Sequence, residues 1–361
     1  MPVPQPLAGC RVVELSQFIA GPTAAQLLAD FGAEVIKIEP ARGDGTRALV
    51  GTEFGSGYFR CFNTSKASQV LDIGAEGGRA ELDRLLGSAD ALVCNIAPAT
   101  LARLGLDAEA LRRNFPDLVV TLVSGFGQQD GRTCMDTIAQ CESGFAALNG
   151  AEDGTPRVST SWPVDFFSGL FAGISTAMAL ADRKRAGGVT VDVSMMEVAA
   201  AVMLGPAAII ASEGGRLEAP AGNRDRAAAP SNVYACADGH CYIYAGLDPF
   251  WAKLRPVVGG EEAGYSERLA RAAEFDAQVE AWTSARPRDE VLAEMARLGI
   301  PAGAVRAPAE AIEAIRALRP DAVTTRLPSG EHVPAFPALF SGERLPRRPA
   351  PDLGAAKSNR S

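Results

Sequence analysis

The sequence predicts an α/β protein built on a doubly wound parallel sheet. Two observations carry that expectation. Arg11 to Glu39 reads as one complete strand, loop, helix and strand. The same order of apolar strand, polar or glycine-containing loop and helix then recurs as far as Ser124. A unit of this size is βαβ, which makes the sheet parallel and places a ligand at the carboxyl end of the first strand, near Ser16 to Pro22.

The elements follow in order. Arg11 to Leu15 is a short apolar run rich in Val, too short for a helix. Gly21-Pro22 opens the first helix, with Pro at its first position, where its missing N–H costs nothing. Ala24, Leu27, Leu28 and Phe31 recur at helical spacing, and Gly32 stands where a C-cap glycine belongs. Glu34 to Ile38 is the second strand and Val70 to Ile73 the third. Ala80 to Leu86 is a short helix. Ala91 to Cys94 is a buried strand, a helix follows it to about Arg103-Leu104-Gly105, and Leu118 to Ser124 is the next strand. Gly169 to Lys184 is a long Ala-rich helix with small residues on its packing face, ended by Gly187-Gly188. Val189 to Met195 alternates as a strand, and Met196 to Leu204 is helical.

From Gly205 to Asn232 the text turns rich in Ala, Pro, Gly and Arg and reads as a connector. Val233 to Ala245 is a β-hairpin with Asp238-Gly239 as its turn. Helical patterns run to about Leu298, and Val333 to Ser341 begins a return towards the C-terminus. The tail from Pro346 is expected to be poorly ordered.

Composition narrows the function classes. A hydrophobic share of 47% with 22% charged residues is ordinary for a globular chain, and 361 residues suffice for a large domain and a smaller one. A net charge of -8 argues against a nucleic-acid partner, which needs a basic surface, but leaves room for a small anion held by a local cluster of cations. Seven cysteines without a CxxC pair, and no leader read at the start, make reduced thiols and a cytoplasmic location the expectation. His240 and His332 are the two histidines, so no metal site is expected. The apolar stretch Val198 to Ala211 is broken by Gly205-Pro206 and too short to cross a bilayer, so no membrane partner is expected. A GxxxxGK[ST] loop is absent, and Gly125-Phe-Gly127 is too weak a signal for a dinucleotide site.

Asp165 is the first candidate for chemistry. It sits among Trp162, Val164, Phe166 and Phe167, where a carboxylate is poorly solvated. The residues alone favour a helix N-cap, while a nucleophile towards an activated acyl group stays open. Arg42, Asn63, Lys66, Asn95 and Arg103 follow strands or open helices on the loop edge, where cations suit phosphate groups. Asp136 and Gln140 stand four apart on one helix face, next to Met135. Glu14 and Glu39 read as structural, and Asp248 as the cap of the next helix. Trp162, Phe166, Phe167 and Trp251 hint at an apolar acyl group, though core packing explains them as well.

Taken together these blocks resemble the class III coenzyme A transferases, the family of formyl-CoA transferase, carnitine-CoA transferases and α-methylacyl-CoA racemase. The resemblance runs from about Leu7 to Ser341. It rests on Ala20-Gly21-Pro22 with Ala33 to Glu39, on Phe62-Asn63 and Lys66 ahead of Leu71-Asp72, and on Ala89-Asp90 to Asn95. Ala139-Gln140 with Ser143-Gly144, Asp165 with Ser168-Gly169, Val191 to Met195 and Ala237-Asp238-Gly239 complete it.

The resemblance implies a large doubly wound CoA-binding domain over residues 1–205, rejoined by 331–361, a linker over 206–232 and a smaller α+β domain over 233–330. It further implies two chains interlocked as a dimer and acyl-CoA and a carboxylic acid as substrates, with no permanently bound cofactor. Asp165 matches the aspartate that becomes acylated. Phe18, Ile19, Arg42, Asn63, Lys66, Asn95, Ile96 and Arg103 fall where relatives line the CoA pocket, and Gln140, Met135, Asp136 and Met195 near the reacting end. Racemases carry a His where this chain has Met135, and a thioether cannot exchange protons. Transferase therefore ranks above a racemase or isomerase using Asp165 as base, and above a non-catalytic subunit of a heteromer. Asp248 lies where racemases carry a helping Glu and does not discriminate.

Overall fold

The computed structural model describes residues 3–203 apart from 50, 53 and 54, then residues 205, 208 and 220–355. Residues 206, 207 and 209–219 of the expected connector and residues 356–361 of the tail lie outside the described residues. The chain forms two compact units. The first comprises Met1–Ala146, Val158–Leu217 and Ile315–Ser361, the second Ala147–Arg157 and Glu218–Ala314.

The first unit is organised by a six-stranded parallel sheet. Its strands are β1 (Arg11–Leu15), β2 (Glu34–Glu39), β3 (Ala67–Val70), β4 (Ala91–Cys94), β5 (Val119–Ser124) and β6 (Thr190–Ser194). They lie in the order β3-β2-β1-β4-β5-β6. The chain builds outward from β1 on one side, then returns to lay β4 against its other edge. Loops leaving the carboxyl ends of β1 and β4 therefore diverge, which opens a crevice at that point of the sheet.

Alternation along each strand fills two cores. Val12, Val35, Val93, Val119 and Val123 point to one face, where α1 (Ala20–Asp30) contributes Ala24 and Leu28. Val13, Leu15, Ile36, Ile38, Leu92, Val120 and Leu122 point to the other. There they meet Leu82 and Leu86 of α3 (Glu76–Gly87), Leu101 of α4 (Pro98–Leu104) and Leu111 of α5 (Ala108–Asn114). Helix α4 ends at Gly105, whose φ of +60° suits a residue without Cβ. Helix α7 (Pro163–Ala186) lies against α1 through glycines. A Cβ on Gly169 would stand 2.5 Å from Thr23 Cβ and 2.6 Å from the Ala20 carbonyl oxygen.

Several expectations shift. The third strand is Ala67–Val70, three residues early, because Ser68 is buried and donates to Glu39 on β2 while Leu71 to Ile73 lie beyond it. Helix α1 begins at Ala20, so Pro22 is its third residue. Helix α2 (Gly57–Asn63), capped by Ser56, and helix α5, capped by Asp107, were not anticipated. The tail from Pro346 to Ala355 is pinned. Arg347 bonds Asp30 at 2.5 and 2.9 Å, Arg348 N–H donates to Ser65 Oγ, and Gly354 N–H to Ser68 Oγ.

The second unit carries an antiparallel sheet of β7 (Ser231–Cys236), β8 (Gly239–Tyr244) and β9 (Ala302–Ala304). The hairpin is present, but its turn residues are Ala237-Asp238, since Gly239 already pairs with Cys236. Tyr234 and Ile243 pack with Trp251, Phe275, Val279 and Met295 from the helices. Trp251 is thus a core residue, edge-on to Phe275. Asp248 does not cap its helix: Leu247 holds that position, and Asp248 accepts from the buried Arg268 at 2.8 Å.

Candidate active site

The crevice between β1 and β4 is closed at its base by Asn95. Its Oδ1 accepts the Gln17 N–H at 3.0 Å and its Nδ2 donates to the Gln17 carbonyl at 2.8 Å. The link leaves no room behind it: a Cβ on Gly21 would stand 2.3 Å from Ser16 Cβ and 3.2 Å from Asn95 Cγ. Phe18 occupies the left-handed region at φ +64°, a strained place for a bulky residue and one often found beside functional sites. Among the described residues, the N–H groups of Phe18, Ile19, Ala20 and Gly21 have no hydrogen-bond acceptor. They are the unfilled donors of a helix start.

Two cavities open on this loop. One, of about 430 Å³, has Gln17, Phe18, Ile19, Ala20, Asn95 and Ile96 on one side and Cys134, Met135, Asp165 and Met195 among its other walls. The second, of about 560 Å³, shares Gln17 and Ile96 with it and adds Arg42, Ile38, Leu71, Asp72 and Ile73. All of these residues belong to the first unit.

Asp165 is not an N-cap. Trp162 holds that position with φ +54°, stacked edge-on against Tyr58, and Asp165 is the third residue of α7. Its own N–H donates to Asp136 Oδ2 at 2.9 Å. Asp136 also accepts from Gln140 Nε2, its partner one turn along α6 (Asp136–Glu142). Gln140 in turn brackets the segment ahead of α7, donating to the Ser159 carbonyl at 2.9 Å and accepting the Ser159 N–H at 2.7 Å. The two side chains placed on one helix face by their spacing thus hold Asp165 from behind, and both are buried.

Asp165 is 8% exposed, and no described group donates to its carboxylate. Burial pushes its pKa up to about 7, and the nearby Asp136 adds to the rise. An unpaired carboxylate poised near neutrality on a cavity wall can act as a nucleophile or a base.

The other expected residues divide. Phe18, Ile19, Asn95, Ile96, Met135 and Met195 line the smaller cavity, and Arg42 the larger. Met135 is 47% exposed on the cavity wall and so is not core packing. Asn63 and Lys66 do not reach either cavity. Lys66 Nζ is buried and bonds Glu14, the Pro22 carbonyl and Asn63 Oδ1, while Asn63 Nδ2 donates to the Phe59 carbonyl. Arg103 lies exposed in the last turn of α4, off both sets of walls. Phe166, Phe167 and Trp162 are among the exposed apolar side chains rather than the core. Sequence reasoning passed over Gln17, Cys134 and Arg132, which also line the smaller cavity. Gln17 could have been found from its place directly after the first strand. Among the described residues, no group of three or more His, Cys, Asp or Glu could hold a metal ion.

Comparison with known proteins agrees with this fold. The family model for CoA-transferase family III matches residues 7–357. Succinyl-CoA–D-citramalate CoA-transferase of Chloroflexus aurantiacus is 33% identical over 84% of this chain and 79% of its own length. Succinate–glutarate CoA-transferase of Agrobacterium fabrum is 34% identical over 73% and 69%. Among solved structures, a CaiB/BaiF family protein from Brucella suis superposes with a TM-score of 0.85 at 30% identity, covering 98% of this chain and 97% of its own. The fold is that of a CoA-handling α/β enzyme. The chain belongs to CoA-transferase family III, and its reaction class is the transfer of CoA between an acyl-CoA and a carboxylate.

Proposed function

We propose that this enzyme transfers CoA through covalent intermediates on Asp165. The ionised carboxylate attacks the thioester carbonyl of the donor, forming a mixed anhydride and releasing CoA thiolate. The thiolate attacks the aspartyl carbonyl of the anhydride, giving an aspartyl-CoA thioester and freeing the donor acid. The acceptor carboxylate attacks that thioester, forming a second anhydride and CoA thiolate. Attack of the thiolate on the acceptor carbonyl releases the new acyl-CoA and restores Asp165.

The observation that carries this reading is the Asp165 carboxylate, buried, without a donor, and facing a cavity walled by unpaired N–H groups. Each attack places negative charge on a carbonyl oxygen, and the free N–H groups of residues 18–21 suit that charge. The larger cavity, with Arg42 at its rim, suits the nucleotide end of CoA. Met135 in place of a proton carrier favours transfer over racemisation. Dicarboxylic acids and their CoA esters are the first substrates to try, since the two relatives above are named for succinate, glutarate and citramalate.

We also read the enzyme as a cytoplasmic homodimer of interlocked chains. Phe167, Phe171, Ile174 and Met178 form an exposed apolar stripe along α7, which a second copy would cover. The same helix is long and apolar enough to cross a membrane by length and composition.

The test is chemical trapping. Incubation with acyl-CoA followed by hydroxylamine or borohydride marks Asp165, located by mass spectrometry. Full transferase turnover in Asp165→Ala would overturn the assignment. Solvent deuterium entering the α-carbon without an acceptor acid would favour a racemase.

A further inference from the structure

Four charged side chains lie buried beneath the crevice, and the chemistry above uses none of them. Glu14 and Lys37 are directly opposite each other on β1 and β2, in strands whose other residues, the first of each aside, are buried, and each is 0% exposed. Lys37 Nζ bonds Glu14 Oε1 at 2.9 Å and Asp44 Oδ2 at 3.0 Å, and donates to the Ser16 carbonyl at 2.8 Å. Lys66 Nζ bonds Glu14 Oε2 at 2.8 Å and donates to the Pro22 carbonyl at 2.9 Å. Ser16 Oγ donates to Glu14 Oε1 at 2.7 Å. The two cations and two carboxylates balance. Between them they hold Ser16 and Pro22, the two ends of the segment that contains strained Phe18 and the unpaired N–H groups.

We propose that Glu14, Lys37, Asp44 and Lys66 form a charge clamp that positions residues 16–22 against the reacting end of the cavity. They are positioning residues, and the Lys66 ammonium points into the clamp, off the walls of both cavities. A buried ion cluster is weak evidence for stability, because desolvation cancels much of the attraction. What this one adds is aim. Each ammonium ties a backbone carbonyl to the sheet, one at Ser16 just ahead of residues 18–21 and one at Pro22 just after them, so the short segment between is held at both ends. The inference rests on the proposed role of the 16–22 segment around Asp165.

The experiment compares wild type with the charge-balanced pair Glu14→Gln/Lys66→Met, which removes one cation and one anion together. The clamp predicts that kcat falls by about 100-fold, the scale for sub-ångström loss of alignment, while KM for acyl-CoA moves less than ~3-fold. A role in stability alone lowers the melting temperature and leaves kcat of the folded enzyme unchanged, and that result overturns the proposal. Should the pair not fold, wild type decides. Lys66 faces Glu14 on β1, Lys37 on β2, Asp44 beyond it, and Asp30 on α1; burial lowers its pKa to about 8. The clamp predicts a kcat that declines as pH rises through that value with the fold intact, and a flat kcat up to pH 10 overturns it. Failure of the Asp165 reading is seen separately, as wild type that yields no trapped adduct at all.

Discussion

Replacing Asp165 by Asn should stabilise the fold while abolishing turnover, and the gain should depend on pH in a defined way. In the folded chain burial, reinforced by Asp136, holds this carboxyl at about 7. In the unfolded chain it titrates near 4. Below pH 4 both states carry the proton, and the group is neutral towards stability. From pH 4 to 7 the unfolded chain ionises while the folded one does not, so stability falls as pH rises. At about 1.4 kcal/mol per pH unit, the folded state is weakened by roughly 4 kcal/mol at pH 8 relative to pH 4. An Asn carries no such term. The Asp165→Asn variant should therefore match wild type below about pH 4 and exceed it by about 2–4 kcal/mol at pH 8, some 5 °C or more in melting temperature for a unit of this size. Thermal unfolding at a series of pH values measures the difference, with turnover recorded alongside. A variant less stable than wild type at pH 8, or a difference that does not change between pH 5 and 8, would refute the claim that Asp165 is a desolvated, donor-free carboxylate.

The same ionisation should shape the rate: kcat/KM for acyl-CoA falls about tenfold per pH unit below 7, because only the carboxylate attacks. Asp136→Asn keeps an acceptor for the Asp165 N–H but removes the neighbouring charge, and should move that acid limb to lower pH in the kinetic profile. Gly169→Ala drives a methyl into Thr23 and the Ala20 carbonyl and should cost about 1–3 kcal/mol by urea unfolding. Arg347→Ala strands the buried Asp30 without its partner, at a cost of roughly 3–5 kcal/mol, and should make residues 346–355 a site of limited proteolysis.

The sheet was legible because its strands are short apolar runs and its helices amphipathic. Ala91 to Cys94 and the helix from Ala20 fell within a residue or two of their observed limits, and Gly32 and Gly105 marked helix ends. The third strand was misplaced because Ala67-Ser-Gln carries little apolar signal; its place is set by Ser68 bonding Glu39 across the sheet. The tail was misread for a related reason. Composition reports what a segment lacks, while Arg347 is held by Asp30, some three hundred residues away in sequence.

Within the site, the helical spacing of Asp136 and Gln140 was readable. Their convergence on Asp165 was not, since it depends on Gln140 bracketing Ser159 and on Trp162 turning the chain ahead of α7. Lys66 shows the limit most clearly. A lysine after an Asn on a loop edge suits a phosphate by residue type alone, yet its ammonium is turned inward to Glu14 and the Pro22 carbonyl. The clue lay two strands away. Glu14 in Val-Val-Glu-Leu and Lys37 in Val-Ile-Lys-Ile interrupt strands that a parallel sheet buries on both faces, and a charge in that setting needs a partner. The two interruptions are of opposite sign, stand opposite each other on neighbouring strands and pair inside the sheet. In the proposed clamp that pattern links the strand text to residues 16–22, and so ties Glu14, which the sequence reads as structural, to the geometry around Asp165.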